Sequence, residues 1–464
     1  MLLEKLDRGE TVVLTPKTPA LSRRTFIASA ACAVSVPAVA RAHQTQAPPA
    51  TLFNNVRLFD GVDGRVRNAN LLVIGDKIAE VAAGAISPPE GTQVIDGAGR
   101  VLMPGMTDAH WHMTFAPNTM ANMQAADTGL MYANAVAEAE RTLMRGFTTI
   151  RDTGGPTFGL KLAIDRGAIP GPRVYPSGAL ISQTSGHGDF GAAYDRPVSL
   201  GGTPSWFEQI GAFTIANGAA EVEAAVRMQF KRGASQVKLA LGGGVISDSD
   251  PIDTLQYTTD EIRAAVQAST DWGTYVCAHV YTVEGIRRAV NAGVLSIEHG
   301  HMADQPTLKL MADKGAWLSI QPFQAGDNPL TPEQIAKAEP TSHWDRVATW
   351  AKATGTRVAF GTDLLFQPEG TKNQPVLLTR FARVFGNAGA LQIATSGNCE
   401  LFALSGERNP YKQAKLGVLQ KGAWADMLLV NGDPTQDIDL IKDYERNLAV
   451  IMKNGKVYKN ILNG

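Results

Sequence analysis

Short apolar runs recur between residues 101 and 361, with few polar positions inside them. They are VLMPGM (101–106), FTTIR (147–151), RVYPSGA (173–179), QVKLAL (236–241), YVCAHV (275–280), LSIE (295–298), AWLSIQP (316–322) and RVAFG (357–361). Runs of this length without strict polar alternation suit strands buried on both faces, as in a parallel sheet. Between them, residues 128–145, 219–232, 259–271 and 283–291 place apolar side chains at helical spacing, and Thr259-Asp260-Glu261 reads as a helix start. Eight strands alternating with helices predict a (β/α)₈ barrel over residues 101–415. Long connections at 182–218 and 323–345 follow the third and seventh strands, which puts both on the face where such barrels do their chemistry.

The two ends read differently. Residues 51–53, 56–59, 70–74 and 77–81, and later 426–430, 448–452 and 456–458, are short strand-like pieces separated by turn residues. They predict a small β-sandwich built from residues 43–100 and 416–464. Ahead of it, Ser22-Arg23-Arg24-Thr25-Phe26-Ile27 matches a twin-arginine export pattern, followed by an apolar stretch to Val39 and a small-x-small site at Ala40-Arg41-Ala42. The apolar stretch is too short to span a membrane. Residues 1–42 are therefore expected to be removed, leaving a periplasmic or secreted protein with no membrane attachment.

Composition narrows the partners. The chain has 43 Lys/Arg and 44 Asp/Glu in 464 residues, a net charge of −1, which gives no basic surface for nucleic acid. Three cysteines, Cys32, Cys277 and Cys399, are too few for a disulfide framework. Cys277 lies two residues before His279 on one strand and reads as a packed core thiol.

The chemistry-bearing residues sit at or just past the strand ends: His110 and His112 in PGMTDAHWH, Lys238, His279, His299 in SIEHG, and Asp363 in GTD. In a barrel those ends converge on one face. Four imidazoles and a carboxylate are ligands for divalent cations of the zinc type. An ammonium cannot ligate, so Lys238 fits only if its amine has taken up carbon dioxide to form N6-carboxylysine, a ligand able to bridge two metal ions. A two-metal hydrolase acting on a small-molecule amide follows, with Asp363 handling the proton. Tyr281 points the same way as His279 along its strand and is a candidate oxyanion donor; His187, on the third connection, is a candidate contact to the substrate carbonyl or carboxylate. Trp206, Phe207, Phe213, Phe323 and Phe366 offer an aromatic pocket. Two other readings compete: a mononuclear deaminase or cyclic amidohydrolase, which has no use for a carbamate, and a non-catalytic periplasmic binding protein, against which the six filled ligand positions argue.

The arrangement resembles the metal-dependent amidohydrolase superfamily across nearly all of the mature chain, including the late Gly422-Ala423-Trp424-Ala425-Asp426 segment. Thr148-Thr149-Ile150-Arg151-Asp152-Thr153-Gly154-Gly155 and Ser185-Gly186-His187-Gly188 resemble its prolidase-like carboxypeptidase branch, which includes bacterial ochratoxin A-hydrolysing amidohydrolases; the lead-in Gln183-Thr184-Ser185 departs from the small-Gly-Gly more usual there. The resemblance implies that His110 and His112 bind the more buried metal and His279 and His299 the more exposed one, with carboxylated Lys238 between them and Asp363 also ligating. It implies N-acyl amino acids or dipeptides with a free carboxylate as substrates, ochratoxin A among them, and a homo-oligomer, with an octamer among the forms it suggests.

Overall fold

The computed structural model describes residues 48–324, 326–327 and 330–462; the export segment expected at 1–42 lies outside them. Eight parallel strands, Met106–Trp111, Phe147–Asp152, Arg173–Pro176, Val237–Ala240, Val276–Val280, Ser296–His299, Trp317–Ile320 and Arg357–Phe360, follow one another around a barrel. Strands one to three pair in order, as do four to eight. Ser235 N–H bonds Pro176 O at 2.8 Å between strands three and four, and Asp363 N–H bonds His110 O at 2.8 Å where the eighth strand meets the first. The helix over Thr259–Asp271 starts as its sequence suggests: the Thr258 side chain accepts from Glu261 N–H, and the Glu261 carboxylate accepts from Thr258 N–H.

The first barrel strand is not the run expected for it. Val101–Pro104 belongs to a second sheet, pairing antiparallel with Met427–Val430 and parallel with Ala50–Phe59. Val101 and Met103 face the barrel's core together with Leu428 and Val430, whereas Leu102 joins Met427 and Leu429 in that sheet's own core. Both faces are thus buried, so the run reads like a barrel strand. The real first strand, Met106–Trp111, carries polar residues whose partners are internal. Thr107 Oγ1 donates to Ala394 O at 2.7 Å, and Asp108 accepts from Thr362 Oγ1 at 2.5 Å and Gln374 Nε2 at 2.9 Å.

The second sheet is mixed and eight-stranded. Its order is Lys456–Asn460, Leu448–Lys453, Met427–Val430, Val101–Pro104, Ala50–Phe59, Val66–Ile74 and Lys77–Ala82, with Gln93–Asp96 also alongside Ala50–Phe59. It unites the two ends of the chain. Two three-residue strands, Leu180–Ser182 and Phe213–Ile215, add to the barrel sheet inside the long third connection.

A buried ion pair fastens the sheet to the barrel. Arg173, on the third strand, donates through Nε to Asp426 Oδ2 at 2.7 Å, and its guanidinium lies 4.0 Å from the Trp424 ring. Asp426 also accepts from Asn454 N–H at 2.8 Å. Removing one partner of such a pair strands the other charge in the interior. Asp426→Ala should therefore destabilise the protein by about 3–5 kcal/mol in equilibrium denaturation; an unchanged midpoint would show that the pair contributes nothing.

Candidate metal centre

The strand ends gather all six expected ligand residues at one rim, around a cavity of about 840 Å³ lined by His110, His112, Lys238, His279, His299 and Asp363 among others. Asp363 Oδ1 lies 3.3 Å from His110 Nε2 and 3.1 Å from His112 Nε2. Among the described residues, His110, His112 and Asp363 form the group whose ligand atoms all fall within 4.8 Å of one another. His299 extends the cluster, its ring 5.0 Å from His110 and 4.4 Å from His279, and Lys238 Nζ is 3.5 Å from His110 Nε2. His299 and Asp363 both hold left-handed backbone, with φ of 73° and 50°. Such conformations cost about 1–3 kcal/mol and concentrate at functional sites.

Each imidazole has one nitrogen committed to a buried acceptor. His110 Nδ1 bonds Glu298 at 2.8 Å, His112 Nδ1 bonds Gly154 O at 2.9 Å, His299 Nδ1 bonds Gln321 Oε1 at 2.7 Å, and His279 Nε2 bonds Gly243 O at 3.1 Å. Carbonyl and carboxylate oxygens only accept, so each of these nitrogens carries the proton and the other keeps its lone pair. Four lone pairs are left at one rim. Metal-binding histidines are oriented by partners of this kind, so the residues fit divalent cations.

Below the rim lies a support the sequence reading did not assign. Glu298 and Arg151 are fully buried and paired at 2.7 Å; Arg151 also donates to Ala109 O at 2.6 Å and Tyr275 OH at 3.1 Å. Burial alone would raise the Glu298 carboxyl, but Arg151 and His110 hold it far below its usual value. The Lys238 amine is pushed down by burial, against the pull of Glu298. Burial, with Asp363 nearby, pushes the Tyr281 phenol far up, so its hydroxyl remains a donor.

Tyr281 and His187 both line the cavity, His187 stacked on His279 with ring centres 3.9 Å apart. Of the aromatic residues expected there, Phe213, Phe323 and Phe366 do so. Phe207 and Trp206 do not. Phe207 packs behind, against Phe190 and Phe213, and Trp206 is 41% exposed with its Nε1–H on Met123 O. Phe115 and Phe190, which sequence reasoning missed, take their places; Phe115 stacks between His112, Phe213 and Phe366 at 5.4–5.6 Å. Cys277 is a core thiol, donating to Val237 O at 3.3 Å.

A parallel barrel with imidazoles and a carboxylate converging on its C-terminal rim is the architecture of a barrel hydrolase. Residues 101–464 match the Amidohydrolase family, and the chain belongs to it. Ochratoxinase from Aspergillus niger is 30% identical over 430 residues, 87% of this chain and 85% of that one. The crystal structure of A. niger ochratoxinase is 28% identical and aligns with a TM-score of 0.77 over 90% of this chain and 98% of its own. A prolidase complexed with N-methylphosphonate-L-proline is 32% identical, with a TM-score of 0.80 over 89% of this chain and all of its own. The chain is a hydrolytic enzyme acting on amide bonds.

Glu298 tests the support beneath the rim. Glu298→Gln keeps the shape but removes the anion that orients His110, and metal affinity should fall by about 10–100-fold in titrations of metal-free protein. Unchanged affinity would mean that His110 needs no such partner.

Proposed function

We propose that this enzyme hydrolyses the amide of N-acyl amino acids or dipeptides that carry a free carboxylate and an aromatic or apolar side, ochratoxin A among them. The four histidines with inward-held N–H groups and free lone pairs, together with Asp363 and Lys238, are the observation that carries the reading. In it, His110, His112 and Asp363 would hold one divalent cation and His279 and His299 a second, zinc by the chemistry of the donors. The Lys238 amine, buried and disfavoured as an ammonium, adds to carbon dioxide. One N–C bond forms, one proton leaves, and the resulting carbamate would offer the cations an anionic oxygen donor. When bound, the cations supply Lewis acidity at the scissile carbonyl and an activated water near neutral pH.

The chain's own groups do the rest. Asp363 receives the proton of the attacking water and delivers it to the leaving nitrogen, which departs as an amine. Tyr281 donates its hydroxyl to the developing oxyanion. His187 meets the carboxylate or carbonyl end of the substrate, and Phe115, Phe190, Phe213 and Phe366 form an apolar wall for an aromatic group.

Lys238→Ala should lose bound metal and turnover together, and short carboxylic acids should restore part of both. A variant that keeps full activity with one cation per chain, counted by elemental analysis, would instead favour a mononuclear deaminase. Substrate class is tested by comparing N-acyl-phenylalanine with its methyl ester and amide, in wild type and in His187→Ala. Blocking the carboxylate, or removing His187, should lower kcat/KM by roughly 10–150-fold, the loss of one charge-assisted hydrogen bond. Equal rates for acid and ester would point to a general amidase.

A further inference from the structure

The connection after the fourth barrel strand holds a second group of polar side chains that the metal centre does not use. Asp250 is buried; its Oδ2 accepts from Gly244 N–H at 2.7 Å and lies 3.4 Å from His187 Nδ1, while its Oδ1 has no hydrogen-bond partner. Ser247 Oγ sits 2.8 Å from the same Nδ1. The Asp250 carboxylate only accepts, so Nδ1, which faces it and the Ser247 oxygen, carries a proton. That commits Nδ1. Nε2 is the ring nitrogen left for the cavity, and because a substrate carboxylate or carbonyl only accepts, it meets one as the second N–H of an imidazolium beside the Asp250 anion.

Packing fixes the same orientation. The His187 ring lies flat on His279, with an interplanar angle of 14°, and its backbone N–H donates to Gln256 Oε1 at 3.0 Å. A Cβ on Gly244 would fall 1.9 Å from His187 Nδ1, so a side chain there displaces the ring.

The turn that carries these groups is held from across the cavity. Lys337, on the helix Pro332–Ala338, donates to the carbonyls of Gly244 at 3.3 Å, Ser247 at 2.6 Å and Asp250 at 3.2 Å. Three ammonium protons meet three carbonyls. One turn further back, Gln334 Nε2 donates to Ile246 O at 3.1 Å. Ile335 and Ala338 of the same helix line the cavity, as do Val245 and Ile246 of the turn.

We propose that Asp250 and Ser247 are positioning residues that act through His187, fixing Nε2 as the atom that meets the substrate, and that Lys337 locks the turn carrying them. The proposal rests on His187 touching the substrate, as read above. It adds that the contact is set jointly by the loops after strands three, four and seven.

A double-mutant cycle tests it, using the amide that wild-type enzyme turns over fastest. Asp250→Asn, Ser247→Ala and Lys337→Met should each lower kcat/KM, by up to the roughly 10–150-fold expected for His187→Ala. Placed in the His187→Ala background, each should add almost nothing, since groups acting through one residue are not additive. Full additivity would overturn the proposal. A second readout needs no substrate. In protein carrying ¹⁵N-labelled histidine, wild type should show a hydrogen-bonded proton on His187 Nδ1, assigned by its absence in His187→Ala and lost in Ser247→Ala. An unprotonated Nδ1 in wild type would overturn the proposal whatever the substrate proves to be. Should Asp250→Asn fail to fold, Gly244→Ala displaces the ring while leaving every polar partner present. It should reproduce the loss seen in His187→Ala, and wild-type kcat/KM in that variant would count against the idea.

Discussion

The Arg151–Glu298 pair is the interaction on which the rest of the centre depends. Two opposite charges with no exposure lie inside the barrel, from strands two and six. Neither is tolerable there alone, because stripping water from a single charge costs several kcal/mol even after relaxation. Paired, they reach the first strand through Ala109 O and the fifth through Tyr275, and Glu298 spends its other oxygen on His110. The pair is therefore a cross-brace among strands distant in sequence, and its upper end holds the His110 ring at the rim. The rim residues above it can hold left-handed backbone at His299 and Asp363 because what lies beneath them is over-determined.

Much of this was legible in the sequence, for a physical reason. Parallel barrel strands are apolar on both faces, so a polar residue at the end of one stands out, and the six residues that meet at the rim were picked out that way. Misreadings came where the same logic applied elsewhere. Val101–Pro104 is also buried on both faces, but in the sheet made by the chain ends. Met106–Trp111 looks too polar for a strand because its Thr107 and Asp108 side chains find partners inside the protein. Leu180–Ser182 and Phe213–Ile215 are too short to leave any periodicity. Glu298 and Arg151 were visible as letters beside known motifs, yet nothing in their local pattern says they meet across the barrel.

The cavity shows the division of labour between strands and loops. Strands supply the imidazoles and the lysine of the rim, held rigidly; connections supply much of the cavity wall. An aromatic side, with Phe115, Phe190, Phe213 and Phe366, lies against His112. The turn around Val245 and Ile246 and the helix bearing Ile335 add a second, aliphatic side.

The sheet uniting the chain ends has a consequence for how the protein comes into being. Val101–Pro104 lies between Ala50–Phe59 and Met427–Val430, and nearby Arg100 bonds Asn431, 331 residues further along. Pairings of such long range are slow to form, because loop-closure entropy must be met before any contact repays it. During synthesis Val101–Pro104, apolar on both faces, waits until the segment carrying Met427–Val430 has left the ribosome. An unfinished chain therefore exposes that apolar edge, and the period of greatest risk of aggregation ends only when the last strands dock.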